Sequence, residues 1–437
     1  MKATRLALAL AMTCAAVPTW SVDLLTLYRD AVASDPVYQS ARAQYAANME
    51  RLPQARAGYL PVVAGSASIF RNWVSRDATP DLNYTTKSYA VTLAQPIFRL
   101  QNWIAIDQAK QQILQAEAIL ANASQELALR VAQAYFDVLL AQDNVALSGT
   151  QKAAIDQQLA QAKRNFEVGT ATIVDTLEAQ ARYDQSVAKE IADRNDLEVK
   201  RRALQQLLGK LPDALSPLRE PLLLAEPQPN DIEKWVAAAG DSSFQVAVSR
   251  ANYEIARQEV ARQRAGHLPT LDLTGSLARS DTPTNIVPGL QGPVINSSSI
   301  GLTLSVPIFN GGLTQSRVRE ALALRERAEQ DLENTQRGVA QQVRASYLNV
   351  TSGIAQVQAL QQALVSTQSQ LDSTILGRDV GVRTSVDVLN AQQQVFQTRR
   401  DLQQARYNYL INTLRLKQAA GQLDEPDVQE VNRALGG

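Results

Sequence analysis

The chain has 437 residues, enough for two or three ordinary domains, and its 43 basic residues are balanced by 43 acidic ones. A formal net charge of zero argues against the broad positive field that nucleic-acid-binding proteins carry. Only 5% of the residues are aromatic, which favours long helices with small contacts over a thick globular core.

Residues 1–21 have the pattern of a secretory signal peptide. Lys2 and Arg5 form a basic region, residues 6–17 are mostly apolar, and Ser21 precedes the predicted cleavage site. Cys14 is the only cysteine, and the residues before it match a lipidation signal poorly, so we expect neither a disulfide nor a lipid anchor in the mature protein. No later stretch of about 18 apolar residues predicts a membrane helix.

Two parts of the chain carry the same motifs in the same order, which predicts an internal two-fold structural repeat. The segment Val168–Asp175 reads VGTATIVD, and it returns 387 − 175 = 212 residues later as VGVRTSVD at Val380–Asp387. Each unit is expected to hold a lead-in helical segment, two strands and a long helical hairpin. Unit one is predicted at 22–209, with the lead-in at 24–57 (broken near Asp35), strands at about 60–75 and 87–97, and the hairpin at 102–209. Unit two is predicted at 231–421, with the lead-in at 232–265, strands at about 268–280 and 297–307, and the hairpin at 313–421. A proline-rich crossover at 210–230 joins the units, and 422–437 form a short polar tail.

The predicted strands alternate apolar residues with small or polar ones. In residues 270–278, Leu271, Leu273 and Leu277 take the apolar positions. One apolar face and one small polar face suit a strand between lipid and a wet lumen, although a soluble sheet with one dry face gives the same alternation. The polar segments 76–87 and 280–298 are expected to be long surface loops, and they favour the membrane interpretation.

The number of strands predicts association. Four strands cannot close a membrane barrel, because such barrels begin at about eight strands and an open sheet edge is not viable in lipid. Two chains would supply about eight strands and three chains about twelve, and the count alone does not choose between them.

The long hairpins carry a heptad pattern. Residues 104–166 contain no strong helix breaker except Gly149, and Val131, Val138 and Val145 recur every seven residues. The same valines return in unit two at 343, 350 and 357. An antiparallel coiled coil explains this pattern equally well, so a periplasmic scaffold protein is the alternative to a channel.

No arrangement of residues predicts catalysis. We find no nucleophile with a base, no defensible pair of carboxylates and no nucleotide motif. The single histidine, His267, takes the position of Tyr59 in the other unit, which indicates a structural role. With three methionines and no cysteine after residue 14, a dedicated metal site is not expected either. The sequence therefore predicts a protein that is not an enzyme and needs no metal or cofactor.

The turn between the helices of each hairpin, which we call a tip, carries residues typical of helix caps. Gly169 and Gly381 suit the left-handed end of one helix. Thr172 with Asp175, and Thr384 with Asp387, are spaced as capping boxes that begin the next helix. Arg383 has Ala171 as its counterpart, and capping does not explain that difference.

With these motifs the chain resembles the TolC family of outer-membrane channel proteins. The match covers nearly all of the mature sequence, and its most specific parts are the two tips and residues 264–274, 307–312 and 405–412. The resemblance implies an α+β membrane protein that forms a homotrimer, in which one 12-stranded outer-membrane β-barrel, with four strands from each chain, continues as a long periplasmic α-helical barrel. It also implies a place in the outer membrane of a Gram-negative bacterium, in contact with its lipid.

The resemblance further implies the function. The chain would be the exit duct of a tripartite system for type I protein secretion or multidrug efflux, joined through a periplasmic adaptor, or membrane fusion protein, to an inner-membrane ABC or RND transporter. Nucleic acid is not an expected partner.

The resemblance assigns roles to the tips as well. Asp175 and Arg383 match residues that tie the periplasmic gate, and Arg378 stands where the family has a tyrosine, so it is expected to meet Asp379 or a neighbouring carboxylate. Asp387 matches an acidic constriction ring, in which Asn390 replaces a second acidic residue. The residues implied to contact the adaptor are Val168, Gly169, Thr170, Val380, Gly381 and Val382.

Overall fold

The computed structural model describes residues 22–77, 79–212, 214–282 and 294–435, so the predicted signal peptide and residues 283–293 of the predicted second loop lie outside the described residues. The helices are α1 (Leu24–Ser34), α2 (Pro36–Met49), α3 (Arg51–Ala57), α4 (Leu100–Glu167), α5 (Ile173–Leu208), α6 (Ile232–Ser242), α7 (Phe244–Arg264), α8 (Leu313–Asp379), α9 (Ser385–Ala419) and α10 (Glu425–Asn432). The strands are β1 (Val62–Arg76), β2 (Thr79–Phe98), β3 (Thr270–Asp281) and β4 (Val294–Ser305). In the described part of the chain, none of the helices has the length and apolar character needed to span a membrane.

Both lead-in segments are broken once. Asp35 separates α1 from α2 with φ −66° and ψ 117°, and Ser243 separates α6 from α7 with φ −64° and ψ 123°. Pro36 predicts the first break, because the residue before a proline avoids the helical region. The second break lacks such a marker, and the sequence analysis missed it.

Helices α4 and α8 are the two longest described helices, with 68 and 67 residues. The 68 residues of α4 span about 100 Å at about 1.5 Å per residue, and the helix continues through Gly149. The heptad valines Val131, Val138, Val343 and Val350 are all at most 1% exposed. Their burial places the main core at the middle of the long helices, where the shorter elements also pack.

The C-terminal segment contributes to that core, which corrects the prediction of a merely polar tail after Gly421. Residues Glu425–Asn432 form α10, and Val428, Val431 and Leu435 are buried in the main hydrophobic cluster. Pro and Asp in the first turn of α10 favour a helix start there. The apolar residues are too few to stand out in a polar sequence, so the sequence analysis missed the helix.

The four strands form one antiparallel sheet in the order β1-β2-β3-β4. Residues directly opposite one another on paired strands lie on the same face of the sheet. Every second residue along one strand also lies on the same face. Near the helices the apolar face carries Val63, Val91, Leu93, Leu271, Leu273, Leu277, Ile300, Leu302 and Leu304. The opposite face there is small and polar, with Ala64, Ser66, Ser68, Ala90, Thr92, Ala94, Thr274, Ser276, Ala278, Ser299, Gly301 and Thr303, and larger residues such as Phe70 and Tyr84 lie only farther out on it.

Strand β2 is longer than predicted, and the expected loop at 76–87 is mostly strand. It begins at Thr79, and Tyr84 and Thr86 pair with Asn72 and Phe70 of β1. The segment from 83 to 86 reads NYTT, whose aromatic and β-branched residues favour a strand despite their polarity. Polarity alone is typical of a loop, and a loop was therefore the wrong prediction for this segment.

Candidate functional site

The two tips have nearly the same backbone. Val168 ends α4 with φ −90° and ψ 2°, and Val380 ends α8 with φ −95° and ψ 3°. The glycine that follows has φ 76° at Gly169 and φ 81° at Gly381, a region that costs residues with a Cβ about 1–2 kcal/mol. Glycine at these positions therefore lets each chain reverse within a few residues.

One carbonyl oxygen in each tip accepts two backbone hydrogen bonds across the turn. The donors and distances are Thr170 and Ala171 to Asn165, at 2.8 and 3.2 Å, and Val382 and Arg383 to Gly377, at 2.8 and 3.1 Å. These bonds satisfy carbonyls that the end of a helix otherwise leaves without an intrahelical partner.

The predicted capping boxes are present in both tips. The backbone N–H of Thr172 donates to Asp175 Oδ2 at 2.9 Å, and that of Thr384 donates to Asp387 Oδ2 at 2.9 Å. Each threonine Oγ1 accepts in return from the aspartate N–H, at 3.3 and 3.1 Å. The hydrogen bonds from Thr172 lower the pKa of Asp175, and those from Thr384, with a smaller contribution from the charge of Arg383, lower the pKa of Asp387.

The side chain of Arg383 lies against the backbone of Gly377. A Cβ added to Gly377 would stand 2.8 Å from Arg383 Cγ, too close for both side chains to keep their places. The counterpart of Gly377 in the first tip is Asn165, where Ala171 has no long side chain to accommodate. Sequence reasoning missed Gly377, although a glycine near the end of a long helix beside the unmatched arginine was the available signal.

Arg378 is paired with its neighbour, as its position beside a carboxylate predicted. Its guanidinium lies 2.8 Å from Asp379 Oδ1, and 24% of its side chain is exposed. Arg378 and Asp175 also line one small cleft between the tips, together with Gln158 and Ser385. In the described parts of the chain no ion pair within 4.0 Å joins Arg378 to Asp175, so the cleft brings these two predicted gate residues together without a direct tie.

Asn390 is held by an arginine that the sequence analysis did not single out. Arg182 of α5 donates to Asn390 Oδ1 at 3.1 Å and to Gln393 Oε1 at 3.0 Å, and both acceptors belong to α9. A carbonyl oxygen accepts these donors without adding a negative charge. Nothing local in the sequence pairs positions 208 residues apart, so only the fold reveals this contact.

Near the tips, the packing within each hairpin differs from the contacts between the two hairpins. Within each hairpin, near its tip, apolar side chains form a small cluster; the clusters are Leu159, Ala162 and Ala179 in the first hairpin and Leu371, Val388, Ala391 and Val395 in the second. Between the hairpins apolar side chains meet in the main core, where the rings of Phe136 and Tyr407 are 5.7 Å apart, whereas nearer the tips polar side chains join the hairpins. Gln158 donates to Gln392 at 2.7 Å, and Arg400 lies 3.9 Å from the buried carboxylate of Asp193.

The tips also expose apolar side chains. Val168 is 72% exposed, Val380 66% and Val382 76%. The exposed valines on both tips offer apolar contacts for another protein. The predicted adaptor-contact residues therefore lie at the accessible end of the hairpins, away from the main core.

Sequence comparison finds proteins similar to this chain. The family described as outer membrane efflux protein matches residues 27–210 and 235–422. Outer membrane protein TolC of Vibrio cholerae is 33% identical over 416 residues, which cover 95% of this chain and 94% of that protein. Alkaline protease secretion protein AprF of Pseudomonas aeruginosa is 31% identical over 422 residues, which cover 94% of this chain and 87% of that protein.

Structural comparison gives the same picture for the fold. The crystal structure of the outer membrane protein VceC from Vibrio cholerae has a TM-score of 0.77 at 20% identity, covering 91% of this chain and 96% of that one. The structure of CusC has a TM-score of 0.79 at 18% identity, covering 92% and 93%. At these identities the likeness concerns the fold alone.

Proposed function

Because the chain belongs to the family of outer membrane efflux proteins, as its resemblance predicted, we propose that it is the passive exit duct of a tripartite export system. It is an outer-membrane protein of a Gram-negative bacterium with a periplasmic extension. The main support for a duct is the sheet, in which one apolar face suits lipid and one small polar face suits a lumen.

Three chains would complete the barrel. Among the described residues β1 and β4 each pair with one strand only, so both edges of the sheet lack a partner within the chain. Open edges are not viable in lipid, where no water satisfies the backbone N–H and C=O groups. Four strands from each of three copies give about twelve strands, and the repeated helical hairpins would continue the barrel as an α-helical tube.

The tips would close this tube at its periplasmic end. Asp175, Arg378 and Arg383 would form the ties of the gate, and Asp387 with Asn390 would form the constriction. The polar contacts that join the hairpins near the tips support a gate that moves, because water can replace polar partners at low cost once a hairpin shifts. The apolar clusters within each hairpin would meanwhile keep each hairpin intact.

The exposed valines of the tips would receive a periplasmic adaptor, which would connect the duct to an inner-membrane ABC or RND transporter. The name of AprF refers to alkaline protease secretion, and the name of the family refers to efflux. We therefore propose type I protein secretion or drug efflux for this chain, and the pump and adaptor would determine which substrate is exported.

The assembly and the pore are tested together on the full chain purified in a mild detergent. We expect a complex with the mass of three chains, and discrete conductance steps after its addition to a planar lipid bilayer. A folded monomer that stays soluble without detergent and forms no pore would instead identify a periplasmic scaffold protein. Co-purification from the native host, followed by mass spectrometry, is expected to recover an adaptor and a pump.

A further inference from the structure

The charged side chains of the sheet are distributed unevenly between its two faces. The strand cations whose side chains the structure describes are Arg71, Lys87 and Arg279. Arg279 lies opposite Tyr89, two residues from the Val91–Leu277 pair, and Lys87 lies opposite Ile69. All three cations therefore share the apolar face, whereas the small polar face carries none of them.

These cations form one group on three neighbouring strands. Lys87 is diagonal to Arg71, whose direct partner is Thr85, and also diagonal to Arg279. Diagonal neighbours in an antiparallel sheet are about 7–8 Å apart, within reach of long side chains. We call Arg71, Lys87 and Arg279 the cationic row.

The cationic row lies near the end of the apolar face that is remote from the helices, with Trp73 one position farther out on the same face. From Leu271 at the base of β3 to Arg279 is 279 − 271 = 8 residues, about 26 Å along the strand and about 20 Å along the membrane normal at a tilt of about 40°. Phe98 marks the base, opposite Leu271, and Tyr89 lies at the level of the row. Aromatic residues at both edges of an apolar band are typical of membrane interfaces.

Carboxylates on this face only partly offset the row. Asp281 lies opposite Lys87, and Asp81 lies farther out, where it accepts a hydrogen bond from Ser75 at 2.8 Å. In the described strands, no ion pair within 4.0 Å involves any residue of the row. Three cations and one nearby anion leave a local excess of positive charge.

The side chain of Arg71 is held in place by two neighbours. Its Nε donates to Asn83 Oδ1 at 3.2 Å, and its guanidinium carbon lies 5.7 Å from the centre of the Trp73 ring. A cation–π contact of this kind orients the guanidinium and leaves the other N–H groups available. The remaining donors can reach an anion beside the sheet.

We propose that the cationic row binds the phosphate groups of outer-leaflet lipid, the lipopolysaccharide, given the outward orientation of the apolar face under the function proposed above. A cation facing lipid is costly at the middle of the bilayer and nearly free at its edge, which explains the height of the row. Arginine forks match phosphate geometry and lysine adds a point charge, so adjacent phosphates of one glycolipid suit the row.

The test measures binding of purified lipid A, with both phosphates, to the delipidated full chain in a neutral detergent. The variant Arg71→Gln/Lys87→Gln/Arg279→Gln is expected to lower the affinity between about tenfold and a hundredfold, since each cation near a charged membrane surface contributes a factor of about five. The control Arg42→Gln/Arg250→Gln/Arg433→Gln removes three exposed arginines outside the sheet, two in α2 and α7 and one directly after α10, and is expected to bind like the unmodified chain.

Two further arms identify the lipid phosphate as the ligand. Lipid A without phosphates is expected to bind the unmodified chain as weakly as phosphorylated lipid A binds the triple variant. Equal affinity for both lipids, or for the chain and its triple variant, would overturn the assignment. Competition by inorganic phosphate at the same concentration as lipid A would also overturn it, because the row would then be a simple anion site.

Trimer mass and pore conductance test the proposed duct function independently of lipid binding. The triple variant is expected to keep the trimer mass and the conductance of the unmodified chain, because the row lies outside the lumen. If the triple variant does not assemble, Lys87→Gln alone provides the comparison, with an expected loss of about fivefold. If the unmodified chain forms no pore but binds lipid A through the cationic row, the proposed duct function is wrong and the proposed lipid site is supported.

Discussion

The two tips share a backbone and differ in their side chains. Both reverse direction at a glycine with positive φ, and both begin the next helix with a Thr-to-Asp capping box. Among the corresponding positions that differ, Asn165 and Ala171 in the first tip stand where the second has Gly377 and Arg383, which lie against each other. The shared residues build the turn, so the residues that differ are the ones available for a task other than building it.

The largest expected effect comes from making the second tip like the first with Arg383→Ala. Each exposed ion pair is worth at most about 1 kcal/mol, so three copies together hold the closed state by up to about 3 kcal/mol. Their loss would shift the balance between closed and open channels by up to about a hundredfold. We expect a higher mean single-channel conductance in planar bilayers.

The matched control is Arg164→Ala, which removes a positive charge from the first tip. It is expected to leave the conductance unchanged. Equal conductance of Arg383→Ala and the unmodified chain would count against the gate assignment. Equal increases in both variants would show that only net charge matters, and that the contrast between the tips has no part in closure.

A smaller effect tests whether the two turns are equally strained. Gly169→Ala and Gly381→Ala each place a Cβ at a φ near 80°, at a cost of about 1–2 kcal/mol to the tip. Hydrogen exchange of the tip amides is expected to speed up by about five- to thirtyfold in both variants. If only one variant loses protection, a Cβ at positive φ does not cost the same free energy in the two tips.

The capping boxes offer a third comparison. Thr172→Ala and Thr384→Ala each remove a side-chain acceptor at the start of a helix, which costs about 1 kcal/mol of local stability. The expected result is a loss of protection in the first turn of α5 and of α9, measured by hydrogen exchange and equal within error. The conservative variants Thr172→Ser and Thr384→Ser should retain most of the protection, and if they lose as much as alanine does, the hydroxyl has no capping role.

The smallest expected effect is on pH dependence. The pKa values of Asp175 and Asp387 lie below the ordinary value of 3.8, so their capping contribution is complete above about pH 4 and is lost as the pH falls through the folded-state pKa. Exchange at the tips, corrected for its intrinsic pH dependence, should be constant from about pH 7 to 5 and rise below about pH 4.

Arg383→Ala sharpens this comparison between the two aspartates. The charge of Arg383 contributes to the low pKa of Asp387 and is not among the causes at Asp175. In the variant, the transition of the second tip should therefore move to higher pH and that of the first tip should stay in place. A shift of both transitions would show that the tips are electrostatically coupled.

Local chemistry made much of this structure predictable. The heptad valines and the strand alternation depend on neighbours within about seven residues, and the caps at Thr172 and Thr384 depend on side chains three positions away. The 212-residue repeat is found by comparing the two halves of the sequence with each other. The second strand was harder to predict, since its polar β-branched residues match a loop by polarity and a strand by shape.

The sequence by itself determined the two long hairpins, the four strands apart from the start of β2, the tips where the hairpins reverse, and the apolar face of the sheet, because these properties follow from short-range periodicity and backbone preference. Only the tertiary structure decided that Arg182 binds Asn390, that Arg383 lies over Gly377, and that α10 enters the core. The first and last of these contacts join residues far apart in the chain, and the second depends on the exact path of a turn. Sequence periodicity carries no record of such distances, since they are set by how whole hairpins pack.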